Sequence, residues 1–359
     1  EKAMRTQQTG LVHYDKSGAT PGFTLFSPLV HDQVYLLNMS GEVIHEWAVR
    51  GNAYGYAYLL PNGHLLASSA PDGAVENDRE GLRHLVELDW NSDIMWQADA
   101  PGWHHDFCRL PNGNTAYIGF ERLSDDAAQR VQGGLPGSEV NGDYILGDYF
   151  REITPEDETA WEWHCQSDME IEKFPLEPFT SREEFAHANS IFYTQNDRYL
   201  ISFRRSSIVI MIDRVTRDVV WVGKEPHWGG QHDAQILESG NLLLFANGYK
   251  TKGPALPFSQ IVEMDLATGK DVWTYMGDPP WSFNSPHISG VQRLSSGNTL
   301  ICEGLWGRIF EVTPDGRVVW EYVSPYEGWI SRGGGTGNWV FRALRYAADS
   351  PHIGGRLRL

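Results

Sequence analysis

The sequence predicts an all-β chain, a six-bladed β-propeller in which strands from the N- and C-terminal ends close one blade. Two recurring phrases and an unusual composition predict it. The first phrase is an apolar strand, a polar turn and a strand ending in Trp. It occurs six times, ending at Trp47, Trp96, Trp163, Trp221, Trp273 and Trp320. The second falls between these copies: YLLPNGHLLASS from Tyr58, RLPNGNTAYIGF from Arg109, a degenerate YTQNDRYLISF from Tyr193, ILESGNLLLF from Ile236 and RLSSGNTLICEG from Arg293. The 37 Gly, 14 Trp and 15 Tyr suit many short strands and tight turns better than long helices.

Each phrase reads as a hairpin, with a Gly, Asn or Asp pair in the turn and alternating apolar and polar residues on either side. Two hairpins make four antiparallel strands. The intervals between successive anchoring Trp residues, 49, 67, 58, 52 and 47, fit a propeller blade with occasional insertions. A two-sheet sandwich would explain the alternation but not the six-fold phrase. Six copies of one hairpin against five of the other leave half a blade missing. The tail segment NWVFRALRY, residues 338–346, supplies it by pairing with residues 24–26 and 34–37, which removes open sheet edges. Residues 10–359 thus form a single propeller domain. Segments 121–144 and 166–186 break the period and read as inserted loops of the length used for lids.

The chain has 359 residues, 41% hydrophobic and 21% charged, enough for a full core. It has no run of about 18 apolar residues, so it reads as soluble and without a membrane span. With 47 acidic against 29 basic residues the net charge is −18, which argues against nucleic acid as a partner. Three cysteines, Cys108, Cys165 and Cys302, cannot all pair within the chain and lack CxxC spacing; one disulfide plus a free thiol stays open. The first residues lack the apolar core of a signal peptide, a pattern that a trimmed chain would share. No cofactor fingerprint is present, since the glycine run at 333–335 has no following helix and reads as a loop before the closing strand. Oligomeric state is not written in the sequence.

In a propeller the first strand of each blade lines the central channel, and here that strand carries the LPNG-type phrase. The residues entering it read Trp103-His104-His105-Asp106-Phe107, His187-Ala188-Asn189-Ser190, Gly230-Gln231-His232-Asp233-Ala234 and Ser285-Pro286-His287-Ile288-Ser289. One such histidine reads best as a hydrogen-bonded structural residue. Four at the heads of successive inner strands, out of 13 in the chain, point to a functional site.

These residues resemble the bacterial arylsulfate sulfotransferase family. The resemblance rests on YDKSGATPGFTLFSPL from Tyr14, HHDFCRLPNGN at 104–114 and FRALRY at 341–346, and it spans nearly the whole chain. It implies nucleotide-independent transfer of a sulfuryl group from an aryl sulfate ester to a phenol through a sulfated histidine. It also implies a small aromatic substrate, no cofactor and a periplasmic or secreted location. Carried over by position, His232 matches the nucleophile, His105 and His187 the other catalytic histidines, and Arg204 the family arginine, with Arg205 an alternative. Asn189 matches a substrate-binding residue; His104, His287 and Trp103 are further candidates around the substrate, and Asp233 a candidate to orient His232.

The residue types suit that chemistry. A sulfuryl group in transit carries negative charge on three oxygens, so positioning and cations matter most. A neutral imidazole can attack sulfur and split one displacement into two. A second reading is a metal-dependent lyase, hydrolase or oxygenase in which His105, His187, His232 and His287 bind a divalent transition metal. Nucleophile and ligand call for the same residue type in the same place. A third is a binding propeller without chemistry, which leaves the histidines unexplained.

Overall fold

A computed structural model describes residues 8–29, 31–51, 55–71, 78–248, 256–330 and 334–358. Among them are six antiparallel sheets of four or five strands, the six blades of a β-propeller, and two short α-helices. The chain divides into two compact units, residues 1–69, 86–97 and 288–359, and residues 70–85 and 98–287. No helix is long and apolar enough to cross a membrane.

The first unit holds the first and sixth blades and most of the second. In the first blade the C-terminal strand Val340–Tyr346 pairs antiparallel with Phe23–Pro28, which pairs with Gln33–Leu37 and then Val43–Ala48. The two chain ends therefore share a blade, as the unequal hairpin count requires. A buried lock holds this closure. Glu311 accepts hydrogen bonds from the Thr20 amide and Asn298 side chain, both at 2.7 Å, and from the Thr20 hydroxyl at 2.6 Å, while its other oxygen pairs with Arg345 of the closing strand. Gly10–Tyr14 was not foreseen as a strand; it adds a fifth to the sixth blade, against Val318–Val323. Its half-exposed residues present no continuous apolar face, so periodicity carried little signal. Gly328–Ile330 pairs with Gly335–Gly337, so the glycine-rich segment carries paired strands where a loop was expected; Gly333 lies outside the described residues.

The second unit holds the third, fourth and fifth blades. Their inner hairpins are Trp103–Arg109 with Thr115–Arg122, Ala188–Tyr193 with Arg198–Phe203, and His232–Ile236 with Leu242–Ala246. In most blades the residue after the turn glycine reaches a buried Glu on the third strand: His64 to Glu87 at 2.7 Å, Asn114 to Glu152 at 2.6 Å, Asn241 to Glu263 at 2.6 Å and Asn298 to Glu311 at 2.7 Å. The fourth blade, whose turn is degenerate, has Arg198 and Met211 in these places. The two changes belong together, because a buried carboxylate without its donor would be costly.

The Trp residues that end each blade behave in two ways. Trp47, Trp163 and Trp320 are fully buried, and each indole N–H donates to a backbone carbonyl of a following blade: Asp89, Arg217 and Met39. Trp96, Trp221 and Trp273 are half-exposed. All three cysteines are free, which removes the disulfide left open by the sequence.

The two segments that break the period pack together. A helix Asp125–Arg130, capped by Ser124, buries Ala127 beside Leu123 and Val131 in the core of this unit. Strands Gly133–Leu135 and Leu176–Ser181 pair in parallel. Gly133 makes that approach possible, since a Cβ there would lie 2.2 Å from the Leu176 carbonyl oxygen and its φ is +75°. The Arg182 guanidinium donates to Gly133 O at 2.7 Å and pairs with Glu139 at 2.8 Å. The inserted segments thus contribute to the core of this unit.

Glu311→Ala should cost about 3–5 kcal/mol in urea unfolding, because it strands the buried Arg345 charge. A paired Glu311→Leu, Arg345→Met variant should lose less.

Candidate active site

All the residues below lie in the second unit. At the head of each of its inner strands the antiparallel register slips: between Trp103 and Phe107, between Ala188 and Ser190, and between His232 and Gln235. His105 and Asp233, within these bulges, and His187, just before the strand that begins at Ala188, adopt left-handed backbone, with φ of 61°, 54° and 59°. A regular strand sends successive side chains to opposite faces; a bulge re-aims them. His104 and His105 can therefore meet, with Nδ1 atoms 2.8 Å apart. The His105 ring also packs edge-on against that of His187, centroids 4.7 Å apart.

The bulges leave backbone N–H groups for buried carboxylates to accept. Asp106 takes those of Phe107 and Ile191, each at 2.9 Å, and Asp148 takes that of Ala188 at 3.0 Å. His104 is buried, stacks on Phe120 with centroids 3.5 Å apart, and places Nε2 3.2 Å from Asp148. His187 gives its Nδ1 to Glu184, a fully buried carboxylate that also pairs with Arg79 at 2.9 Å and Arg205 at 2.8 Å. A carboxylate accepts only, so His187 carries its proton on Nδ1 and its lone pair on Nε2.

His232 is also buried, and its Nδ1 lies 2.8 Å from Asn247 Oδ1. The Asn247 amide is oriented by its own donation to the Ser285 carbonyl at 2.7 Å, which leaves Oδ1 to accept. His232 therefore holds a proton on Nδ1 and its lone pair on Nε2. Burial, and then the positive charge of Arg204, hold this imidazole well below its ordinary titration range. His287 and His187 add to the effect, which brings His287 into the neighbourhood although its own side chain is half-buried, in the loop before Gly290–Arg293.

The Arg205 guanidinium serves Glu184 and the Ser181 carbonyl; the charges of both arginines act on His187, Arg205 more than Arg204, and that of Arg204 also acts on His232. Asn189 is buried and donates to the Gln231 carbonyl at 2.8 Å, tying the strand after His187 to the one that starts at His232. Its Oδ1 has no partner among the described residues. Trp103 is buried against Phe107 and belongs to the packing of its blade. Among the described residues no group of three or more His, Cys, Asp or Glu side chains is arranged to hold a metal ion. Glu177, Phe179, Thr180, Ser181, Arg204 and Arg205 line most of a cleft of about 140 Å³.

Two buried carboxyls that sequence reasoning passed over have opposite fates. Burial and the nearby negative charge of Glu184 push Asp148 up to about 8, so at neutral pH it is largely protonated. Burial works against Glu184 too, but His187, Arg205 and Arg79 outweigh it and keep Glu184 ionised. His187 is pushed down to about 4, chiefly by burial and despite Glu184. The available signals were small: an Asp just before the apolar pair Tyr149 and Phe150 in the strand at 146–153, and a Glu three residues before His187 inside an apparent loop.

A propeller with neutral, buried histidines and an arginine at the heads of its inner strands has the parts of a group-transfer enzyme acting on an anion. The chain belongs to the arylsulfotransferase (ASST) family, whose sequence profile matches residues 57–325. No curated protein matches it. Among solved structures it is similar to a protein of unknown function from Bacteroides caccae, with 14% identity, a TM-score of 0.56 and 91% of this chain and 99% of that one covered. Weaker likenesses are to a streptogramin B lyase, at 10% identity, TM-score 0.48 and coverage of 94% and 93%, and to a virginiamycin B lyase from Staphylococcus aureus, at 10%, 0.46 and coverage of 89% and 90%. At such identities the first likeness speaks to fold alone.

The shifts predict how stability depends on pH. His187 binds its proton near 6.5 when unfolded and near 4 when folded, so its contribution is complete above pH 6.5 and is lost as pH falls towards 4, by roughly 3 kcal/mol. Asp148 has the opposite sign: its contribution is present below about 3.8 and lost as pH rises through 8. Between about pH 4 and 6.5 the two opposing slopes should largely cancel in the urea midpoint, leaving a decline from about 6.5 to 8. Asp148→Asn should remove that decline and expose the rise from about pH 4 to 6.5, whereas in His187→Asn the decline should begin near pH 4.

Proposed function

We propose that this chain moves a sulfuryl group from an aryl sulfate ester to a phenolic acceptor, without a nucleotide donor, through a sulfated His232. The observation that carries this reading is His232 itself: a buried neutral imidazole, its Nδ1 proton given to Asn247, beside the charge of Arg204, in a chain of the arylsulfotransferase family.

The His232 Nε2 lone pair attacks sulfur, an N–S bond forms, and the S–O bond to the aryl group breaks with its electron pair leaving on the phenolate. Arg204 offsets the negative charge shared by the three sulfuryl oxygens. In the second half the acceptor phenol gives its proton to His187 Nε2 and its oxygen attacks sulfur, returning the N–S electron pair to His232. The Glu184 carboxylate stabilises the imidazolium that forms, as a third group does behind a catalytic base. That proton then goes to a departing phenolate in the next turnover. In this reading His105, whose ring packs against that of His187, assists the same transfers.

Incubation with 4-nitrophenyl sulfate should give a burst of nitrophenol and a protein heavier by about 80 Da, the mass of one sulfuryl group on a covalent nucleophile. His232→Asn should abolish the adduct, and Arg204→Ala should slow its formation by about 10²–10³. Absence of any adduct, with activity lost to a chelator and comparable damage from replacing His105, His187, His232 or His287, would assign the histidines to a divalent metal instead.

The pH dependence gives a second test. Because His232 stays unprotonated well below pH 6.5, kcat/KM for the aryl sulfate should hold as pH falls below that value. Removing the Arg204 charge relieves a repulsion on the protonated ring, so Arg204→Ala should move the acid limb to higher pH.

A further inference from the structure

Phe179 stands out on two grounds. Its side chain is 84% exposed, the highest value of any large apolar residue described. Its φ is 65°, left-handed backbone that a bulky aromatic residue avoids outside strained sites. It lies in Leu176–Ser181, where pairing with Gly133–Leu135 is irregular between Leu176 and Ser181. The backbone on either side is fastened by one residue: the Glu177 amide donates to the Arg205 carbonyl at 2.8 Å, and the Arg205 guanidinium donates to the Ser181 carbonyl. Phe179 is thus an exposed apolar ring on a braced turn of chain.

The ring lines the same cleft as Arg204, Arg205 and Ser207. At about 140 Å³ the cleft matches the space of roughly 150 Å³ that accepts a benzene-sized molecule in an engineered protein cavity. Its cationic side is Arg204, whose charge reaches His232. The Glu177 carboxylate is paired with Lys224 at 3.3 Å, which offsets the one negative charge in the lining. A cleft with a cation at one part and an aromatic face at another suits a molecule that is anionic at one end and aromatic at the other.

We propose that Phe179 is the platform on which the ring of the aryl group stacks, so that the choice of aryl over alkyl sulfates resides in this side chain. The proposal rests on the sulfuryl-transfer reading for the identity of the anion. Offset stacking contributes beyond simple burial, and loss of both amounts to about tenfold in binding.

The test compares Phe179→Ala, Phe179→Leu and Phe179→Tyr with the unmodified protein, using phenyl sulfate and hexyl sulfate. Because the side chain is exposed, all three should unfold at the same urea concentration as the parent. The ratio of kcat/KM for phenyl over hexyl sulfate should fall about tenfold in Phe179→Ala, fall in Phe179→Leu and be kept in Phe179→Tyr. Equal ratios in all four proteins would overturn the platform. A separate arm measures calorimetric binding of phenyl sulfate in the His232→Asn background, where no turnover interferes. There Phe179→Ala should weaken binding about tenfold, and unaltered affinity or no binding by the parent would also overturn the proposal. If the unmodified protein binds phenyl sulfate through Phe179 yet neither turns it over nor gains mass, the platform stands and the sulfuryl-transfer reading falls.

Discussion

The left-handed bulge at the head of each inner strand of the second unit is the constraint on which the site depends. Without it, His104 and His105 would point to opposite faces of their sheet. Such backbone costs of order 1–3 kcal/mol per residue and persists only where surroundings over-determine it. Here the surroundings are polar side chains standing in for lost ladder bonds. Asp106 and Asp148 accept from the amides of the fourth blade's inner strand, and Ser190 accepts from Ala234 at 3.2 Å in the fifth. Asn189 and Asn247 donate in the same direction, to Gln231 and Ser285. The inner strands of the fourth and fifth blades are thus pinned by side chains from the blade before.

That network sets the electrostatics as well as the geometry. Similar burial produces an ionised Glu184 and a protonated Asp148, because two arginines stand against Glu184 in addition to an imidazole, whereas Asp148 faces imidazoles and the negative charge of Glu184. The pair illustrates a general rule: two carboxyls in one site are driven apart by their different partners. For the imidazoles the outcome is neutrality. His187 and His232 both donate Nδ1–H to an acceptor and keep a lone pair on Nε2; the charge of Arg204 discourages protonation of both, and that of Arg205 adds to the effect on His187.

The frame follows its own repeated device. A Glu on the third strand receives the residue after the turn glycine, and in two blades that Glu reaches further. Glu152 is joined by Arg214 and Tyr199 of the fourth blade at 2.7 Å each, and Glu311 by Arg345 of the closing strand. Buried charge is tolerated in these places because each carboxylate is surrounded by donors. The fourth blade, which lacks the Glu, also has the turn that departs from LPNG. The Arg205 side chain and backbone both serve the segment before His187, so the inserted chain and the site are held by the same residue.

The sequence by itself determined the blades, their number, their closure by the chain ends and the histidines at the strand heads, because alternation, turn residues and a repeated phrase are local properties. It also identified the family, through short motifs in a fixed order. It did not reveal the five-stranded sixth blade, whose added strand has no apolar face. It did not reveal that the inserted segments pair with one another, since parallel pairing between residues 133–135 and 176–181 leaves no periodic trace. Nor could it find Glu184, Asp148 and Asn247, because the surroundings of distant polar residues depend on where the backbone turns each side chain and which charges meet it. Those are decisions of the tertiary structure: a pKa or a tautomer belongs to an environment, and only the packed fold brings that environment together.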